Sequence, residues 1–469
     1  MKHIFREYDI RGIYEKEITP SFTKALGYVL GKIMIKKGVK TISVGYDARE
    51  SNTVLNNALI YGLNQNDIKV YSLGLVPTPL GYFSNYALDI DANIMITASH
   101  NPKEYNGFKI TIKKESFFAE ELMSIYEDVK ANQTNYDNEF KQVTFEEIDI
   151  KTLYLNYIKE NFSHLKNIDT PICIDTAGGA ACEVAKEVLD SLNIKYAVFF
   201  DEFDGSFSAH EPDPTHEENL FAIKHEMQFS NFKQDNIQKP KYKNGYIPNT
   251  AQIGFGFDGD ADRVVAVIKD KIIKGDELCY LFACAIKNPK ILCEVKCSKV
   301  IFDEINNIGK CFMGKTGHSN IKKAIKELNV DLAAELSGHV FFNDRYFGYD
   351  DAIYGMLRII ELYQKIDIQK TLQNLKQSYS SDEIKIPINE AKKFQTMQDF
   401  KKIIKEQKLN AQIIEIDGVR IEFGDGFALL RASNTSPYLI ARFESTSKEN
   451  LKKYEDLVRQ ALLKLEVNF

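Results

Sequence analysis

The chain has 469 residues, 44% of them hydrophobic, and a formal net charge of −6 at pH 7. At roughly 150 residues per domain this length predicts about three or four domains, and the acidic balance gives no general electrostatic support for a nucleic-acid partner. Because the first residues turn polar at once and the longest apolar run, residues 278–286, is too short to span a bilayer, we expect a cytoplasmic protein with neither a membrane nor a nucleic acid as its partner.

Residues 1–145 alternate between helical and strand-like patterns. Helical apolar spacing covers residues 21–37 and 53–65, and strand-like runs cover residues 41–47 and 70–75. Such alternation is typical of a mainly parallel sheet with helices on its faces. We therefore predict an α/β domain in this region.

A short apolar run at residues 94–96 leads into a turn that carries Ser99. The run predicts a buried strand, and the sequence TASHNP that follows turns the chain. In α/β proteins, loops at the carboxyl ends of strands form the crevice that ligands occupy. A serine hydroxyl is a weak nucleophile that needs a base, a metal ion or a primed substrate. We expect Lys109 to lie on a strand that returns toward Ser99.

Two further α/β regions and a last region of a different kind follow. Residues 146–250 repeat the strand, turn and helix pattern, and their polar end at 229–250 predicts an exposed loop and a domain boundary. We expect a strand at 253–257 to open a third α/β region, residues 251–370. In residues 371–469 several close strands lie between two helices, which predicts an antiparallel α+β domain.

Three aspartates alternate with small residues between two apolar runs. They are Asp258, Asp260 and Asp262, and three hard oxygen donors converging from one tight loop suit Mg²⁺. A solvated acidic turn is the alternative, but the apolar flanks would bury the ends of the loop. Arg263 follows directly, and its alternative is a salt bridge to one of these carboxylates.

The loop at residues 431–437, RASNTSP, combines a guanidinium with hydroxyls and an amide. Arg431 offers a planar fork for two phosphate oxygens, and short donors for the third come from Ser433, Asn434 and Thr435. An ordinary turn stabilised by its own backbone is the alternative.

Two more loops carry residues suited to a sugar or its phosphate. Glu335, Ser337 and His339 alternate after a strand, so one side of an extended loop can face a ring of sugar hydroxyls. For His339 the alternative is a structural histidine. Lys296 and His318, the latter in KTGHS, are weaker candidates, because each alone fits an ordinary surface residue.

Near the N-terminus, the sequence YDIRG places Tyr8 and Arg11 beside a turn, and Arg49 lies beside another. Both arginines belong to the region that carries Ser99. A surface ion pair is the common fate of such charges and is the alternative for each of them.

Taken together, these motifs resemble the α-D-phosphohexomutase family, and within it the bacterial phosphomannomutase/phosphoglucomutase group. Six sequences match in the family's order: FREYDIRG, TASHNP with NGFKI, DGDADR, KTGHS, ELSGH and RASNTSP. The resemblance implies four domains, three with similar mixed α/β sheets and a C-terminal α+β domain that resembles the TATA-binding-protein fold. We expect them at residues 1–145, 146–250, 251–370 and 371–469.

The resemblance also implies an enzyme that moves a phosphate between the C1 and C6 hydroxyls of mannose or glucose phosphate. The phosphate would pass through a phosphoserine at Ser99 and a hexose 1,6-bisphosphate intermediate. Mg²⁺ would be held by that phosphoserine with Asp258, Asp260 and Asp262. The implied catalytic residues are Ser99, Lys109, His318 and Arg11. The implied substrate-binding residues are Tyr8, Arg263, Lys296, Glu335, Ser337, His339, Arg431, Ser433, Asn434 and Thr435.

Two alternatives remain open at this point. A phosphoglucosamine mutase is the first, although Leu336 is apolar where glucosamine mutases typically have glutamine, which favours an unmodified hexose. A non-catalytic protein that binds sugar phosphates is the second. In either case we expect a small hexose phosphate as the binding partner and a chain that is monomeric or forms a homodimer.

Overall fold

The computed structural model of the protein describes residues 2–133, 143–230, 232, 237–433 and 436–469. These residues form two compact units, one made of Met1–Gly275 with Ser337–Gln364 and the other of Asp276–Leu336 with Lys365–Phe469. Within the described ranges, no helix has both the length and the apolar composition needed to cross a membrane.

The first unit begins with an α/β sheet. Its elements are β1 (Ile10–Ile13), α1 (Pro20–Lys36), β2 (Thr41–Tyr46), α2 (Asn52–Leu63), β3 (Lys69–Leu75), α3 (Thr78–Ala87), β4 (Ala92–Ile96), β5 (Tyr105–Ile112), β6 (Glu115–Ser116), α4 (Ala119–Ser124), α5 (Tyr126–Ala131) and β7 (Glu146–Glu147). The sheet order is β1-β5-β4-β2-β3-β7, with β2, β3 and β4 parallel and β5 antiparallel to β4. The predicted alternation is confirmed. Thr19 caps α1 by accepting the N–H of Phe22, and Pro20 begins the helix.

The sequence pattern misses α3, although this helix supplies a residue to the candidate site. Eight of its ten residues, Thr78 to Asn85, are buried. A helix that is buried on nearly all sides lacks the exposed polar face by which an amphipathic helix is usually recognised.

A second sheet of the first unit follows. Its elements are α6 (Ile150–Asn161), β8 (Ile172–Asp175), α7 (Ala181–Ser191), β9 (Tyr196–Phe199), α8 (Phe221–Glu226), β10 (Lys241–Lys243), β11 (Ile253–Phe257), β12 (Val264–Ile268) and β13 (Lys271–Ile273), in the sheet order β10-β9-β8-β11-β12-β13. The sequence predicts that residues 253–257 open a third region, but in the structure this segment is β11 and pairs in parallel with β8. Every residue of β11 is buried, as expected for a central strand. The prediction is wrong because an apolar run indicates a buried strand but not the sheet that the strand joins.

The next elements contribute to both units. They are α9 (Gly275–Ala285), β14 (Lys290–Glu294), α10 (Lys299–Ile308), β15 (Lys310–Gly314), α11 (His318–Leu328), β16 (Leu332–Ala334), β17 (Val340–Phe342), α12 (Ala352–Lys365) and α13 (Ile368–Gln373). In the second unit, β14 pairs in parallel with β15 on one side and β16 on the other. The strand β17 and nearly all of α12 belong to the first unit.

The last region is an antiparallel sheet with helices, which confirms the predicted α+β class. Its elements are β18 (Tyr379–Ser380), β19 (Ile384–Pro387), α14 (Lys393–Glu406), β20 (Gln412–Ile414), β21 (Val419–Phe423), β22 (Gly426–Ala432), β23 (Tyr438–Ser445) and α15 (Lys448–Leu463). The strands β20 to β23 pair as successive antiparallel neighbours, and β19 pairs antiparallel with β23. Their inward faces form a core with α14 and α15.

The close packing of α1 on α2 predicts a loss of stability for Gly62→Ala. A Cβ at Gly62 would lie 2.1 Å from the carbonyl oxygen of Lys24 and 2.8 Å from the backbone nitrogen of Tyr28, and neither atom can move without shifting a helix. We expect the free energy of unfolding to fall by about 1–3 kcal/mol, measured by urea denaturation. At Gly424 an added Cβ would have no atom of the described residues within 4 Å, so Gly424→Ala is the matched control. Equal midpoints for G62A and the wild type would contradict this packing.

Candidate active site

The backbone presents Ser99 in an unusual conformation. Ser99 has a φ of 52°, in the left-handed region that non-glycine residues seldom adopt. Its N–H donates to Thr97 Oγ1 at 2.8 Å. Its own hydroxyl, which is buried, donates to Asp258 Oδ2 at 2.8 Å and lies 3.2 Å from His100 Nδ1. The turn after β4 therefore aims the hydroxyl at the acidic loop.

The acidic loop connects β11 to β12 and packs directly on the Ser99 turn. Asp258, Asp260 and Asp262 are each 0% exposed, and each offers an oxygen within 4.8 Å of the others. A Cβ at Gly259 would lie 2.5 Å from the carbonyl oxygen of Ser99. Only a residue without a side chain allows this approach.

Lys109 and Thr78 bind the acidic loop from two other elements. Lys109, on β5, donates to Asp260 Oδ2 at 2.6 Å and also pairs with Asp262. Burial acts to lower the pKa of Lys109, but the charges of Asp260 and Asp262 outweigh it and raise that pKa. Thr78, at the start of α3, donates to Asp260 Oδ2 at 2.5 Å.

The charges of this cluster fit a divalent cation. Burial, followed by the charges of Asp260 and Asp262, raises the pKa of Asp258 well above its usual range. Among the described residues, the buried Asp260 Oδ1 has no hydrogen-bond partner, and the buried Asp262 Oδ1 has His339 Nε2 at 3.4 Å. Lys109 and Arg263, whose Nε is 3.8 Å from Asp258 Oδ2, oppose three carboxylates. Hard oxygen donors that converge in this way suit Mg²⁺.

Ser337 and His339 also belong to the first unit and lie beside the acidic loop. The Nδ1 of His339 is 3.0 Å from Ser337 Oγ, and its Nε2 is 3.4 Å from Asp262 Oδ1. Arg263 Nε lies 3.3 Å from the same Nε2, and Gly338 accepts the N–H of Val264 through its carbonyl oxygen. The loop that carries Ser337 and His339 is thus joined to the start of β12.

The arginines near the N-terminus are not surface residues. Arg11, on β1, is 8% exposed, donates to Asn101 Oδ1 at 2.6 Å and pairs with Asp9. Arg49 is 2% exposed and donates to backbone carbonyls of the Ser99 turn. The alternative of a surface ion pair is therefore wrong for both arginines, because both are buried. Tyr8 is half-buried and precedes β1.

In the second unit, Lys296 lies among carboxylates. Its Nζ donates to Glu383 Oε1 at 2.6 Å and lies 3.5 Å from Glu294 Oε1. Glu294 also accepts the N–H of Leu336 at 2.7 Å. The preceding residue, Glu335, accepts the N–H of Gly317 at 2.6 Å.

The candidate phosphate loop of the second unit is held by Asp417, a residue that no sequence motif singles out. Its Oδ2 accepts from Thr316 Oγ1 at 2.5 Å and from Arg431 Nε at 3.0 Å. Ser433 is buried and donates its N–H to the Tyr438 carbonyl across the β22–β23 turn. Thr316 lies two residues before His318, the buried first residue of α11. The predicted Asn434 and Thr435 lie outside the described residues.

Family comparisons match four consecutive parts of the chain. The matching models are described as Phosphoglucomutase/phosphomannomutase, alpha/beta/alpha domain I at residues 2–136, alpha/beta/alpha domain II at 152–271, alpha/beta/alpha domain III at 274–381, and C-terminal domain at 383–461. The second match includes β11 and β12 and ends at the first residue of β13, in agreement with the place of these strands in the sheet of β8.

Individual proteins give the same picture. The chain is 33% identical over 470 residues to a phosphomannomutase/phosphoglucomutase of Pseudomonas syringae, covering 98% of this chain and 95% of the relative. It is 35% identical over 462 residues to a phosphoglucomutase of Neisseria gonorrhoeae, covering 97% and 95%. A crystal structure of a phosphoglucomutase/phosphomannomutase family protein from Burkholderia thailandensis superposes with a TM-score of 0.85 at 31% identity, covering 98% of this chain and 97% of the other.

The burial of Glu294 predicts a pH-dependent stability. Burial raises the pKa of Glu294 to about 7, because the attraction of Lys296 does not compensate and the charges of Glu335 and Glu383 add to the effect. When the pKa of a carboxyl group is higher in the folded than in the unfolded protein, the protonated form favours folding. The free energy of unfolding is therefore highest at low pH and falls as the pH rises through the folded-state pKa.

Glu294→Gln should therefore gain stability relative to the wild type between about pH 5 and pH 8, by up to about 3 kcal/mol. Melting temperatures of both proteins across this range measure the difference. Glu327 is exposed on α11, and Glu327→Gln serves as the control. A wild-type and E294Q difference that stays constant with pH would exclude this titration.

Proposed function

The chain belongs to the phosphoglucomutase/phosphomannomutase family and is a phosphohexomutase, and from this premise we propose that it transfers a phosphoryl group between C1 and C6 of mannose or glucose phosphate by way of Ser99. The contact of Ser99 Oγ with Asp258, inside a cluster of three buried aspartates and Lys109, carries the proposal. The intermediate would be a hexose 1,6-bisphosphate.

Phosphoryl transfer depends on alignment and on compensation of charge more than on covalent chemistry by the protein. A phosphoserine at position 99 carries about −1.5 to −2 charges at neutral pH, and it would face three carboxylates. We assign Asp258, Asp260, Asp262 and the phosphorylated Ser99 as the residues that hold Mg²⁺. When bound, this ion would offset the charge of the phosphoryl group and of the aspartates.

We assign distinct roles to the cations around Ser99. Lys109 pairs with Asp260 and Asp262, whose charges raise its pKa against the effect of burial, and an ammonium group held in this way favours an electrostatic role over that of a base. Arg11 binds the Ser99 turn through Asn101. His318, the other candidate for moving a proton, is buried at the start of α11.

The remaining residues would bind the substrate. We assign the phosphate that is not being transferred to Arg431 and Ser433, supported by the position of Ser433 at the β22–β23 turn and by the Arg431–Asp417 pair. Asn434 and Thr435 are proposed for the same phosphate from the sequence alone. Those proposed to contact the sugar or its phosphates are Tyr8, Arg263, Lys296, Glu335, Ser337 and His339.

A mannose or glucose phosphate is the substrate that the relatives support. Full-length relatives carry the names phosphomannomutase and phosphoglucomutase, and Leu336 is apolar at the position where the family resemblance would place glutamine in a glucosamine enzyme. Comparing kcat/KM for mannose, glucose and glucosamine phosphates tests this choice. A preference for the glucosamine substrate would overturn it.

Replacing Ser99 should abolish turnover while leaving the protein folded. We expect Ser99→Ala to lower kcat by at least about 10³-fold, because the group that accepts and returns the phosphate is missing. Intact-mass measurement should show one phosphate on the wild type, removable by a phosphatase, and none on the variant. Ser163 is exposed, and Ser163→Ala should behave as the wild type. An active S99A enzyme would remove Ser99 from the reaction.

Removing one carboxylate should weaken the metal site. We expect Asp260→Asn to lower the affinity for Mg²⁺, measured by calorimetry, by at least about 10-fold. Chelation should stop turnover of the wild type, and added Mg²⁺ should restore it. Asp270 is exposed after β12, so Asp270→Asn is the matched control. Equal Mg²⁺ affinities for D260N and D270N would show that the ion is held elsewhere.

A further inference from the structure

Arg49 binds the backbone of the Ser99 turn from behind. One terminal nitrogen of its guanidinium donates to the carbonyl oxygens of Ser99 at 2.9 Å and Asn101 at 2.5 Å. The other donates to the carbonyl oxygens of Pro102 at 2.7 Å and Tyr105 at 3.0 Å. One buried side chain thus joins four carbonyls, from the serine to the first residue of β5.

Asp47 completes this arrangement. Its carboxylate is 0% exposed, lies 3.3 Å from Arg49 Nε and accepts the Thr97 hydroxyl at 2.6 Å. Thr97 Oγ1 in turn accepts the N–H of Ser99. Both backbone polar groups of Ser99 are therefore bound, the carbonyl by Arg49 and the N–H through Thr97 by Asp47.

Further groups pack closely on the Arg49 loop and on the Ser99 turn. The Phe207 ring centroid lies 5.0 Å from the guanidinium carbon of Arg49, and a Cβ at Gly205 would come within 2.5 Å of the Ala48 carbonyl oxygen. A Cβ added at Gly259 would likewise lie 2.5 Å from the Ser99 carbonyl oxygen. Because Ser99 has a left-handed backbone, its conformation depends on such external contacts rather than on its own preference.

We propose that Arg49, held by Asp47, is a positioning residue that fixes Ser99 for phosphoryl transfer. The inference rests on the proposed function. Arg49 donates to main-chain carbonyls of the turn, so it acts on the reaction through the orientation of Ser99. Its planar fork can serve four acceptors, whereas a lysine supplies one compact ammonium group. A loss of alignment should lower kcat and leave KM nearly unchanged.

The test compares Arg49→Lys with Arg358→Met, a substitution of another buried arginine that controls for a general loss of stability. Arg358 is 4% exposed and donates from both terminal nitrogens to Asp344 at 2.8 Å, away from the Ser99 turn. We expect R49K to lower kcat by about 10²-fold, the effect of a misplacement near 1 Å, with KM within about 3-fold of the wild type. Arg358→Met should lower the melting temperature and leave kcat unchanged.

Hydrogen exchange provides a readout that does not depend on activity. Amides of residues 97–106 should exchange faster in R49K than in R358M, while the rest of the first unit behaves alike. If R49K does not accumulate as folded protein, Asp47→Asn, which weakens the same arrangement, carries the same expectations.

Faster exchange at residues 97–106 with wild-type kcat would make Arg49 purely structural and overturn the proposal. A rise in KM that accounts for the loss of kcat/KM would overturn it as well. Failure of the proposed function is a separate result, since it appears as activity in S99A whatever R49K does.

Discussion

Three buried carboxylates at one point are the constraint on which the first unit depends. Asp258, Asp260 and Asp262 are all inaccessible to solvent, and buried like charges are strongly unfavourable unless they are paired and hydrogen-bonded. The partners come from far along the chain: Lys109 is 151 residues from Asp260, and Thr78 is 182 residues from it. The sheet that carries β5, the helix α3 and the β11–β12 hairpin must therefore be assembled before the acidic loop is stable.

The same assembly positions Ser99, the residue proposed to carry the phosphate, by its backbone. The Ser99 hydroxyl faces Asp258, while its carbonyl and N–H are bound by Arg49 and Thr97. The side-chain hydroxyl of Ser99 thus contacts a carboxylate, whereas the residues bound to its main-chain groups hold the left-handed conformation. The guanidinium of Arg49 therefore binds main-chain atoms of the turn, and the hydroxyl of Ser99 is contacted by Asp258 and His100.

The sequence predicts those parts of the site that lie within one loop. The acidic loop, the Ser99 turn and the Arg431 loop are each compact motifs whose residue types indicate their chemistry. Long-range contacts are not predictable in this way. Thr78 lies on a helix that is almost entirely buried, and Arg49 has the sequence context of a surface ion pair. The apolar run of β11 fits any buried strand until its pairing with β8 is known.

In the second unit, similar long-range contacts join the loops that carry the candidate substrate residues. The Arg420 side chain, buried on β21, donates to the carbonyl oxygens of Val295 and Cys297 at 2.5 and 2.8 Å, on both sides of Lys296. Its guanidinium carbon lies 3.7 Å from the centroid of the Phe427 ring, which packs with Val295 in a shared apolar cluster. Asp417 joins the Thr316 loop to Arg431. A buried guanidinium that satisfies two carbonyls cannot leave them without exposing unpaired polar groups. The Lys296 loop and the strands that carry Arg431 are therefore held to each other as one assembly, and the position of either loop depends on the packing of the other.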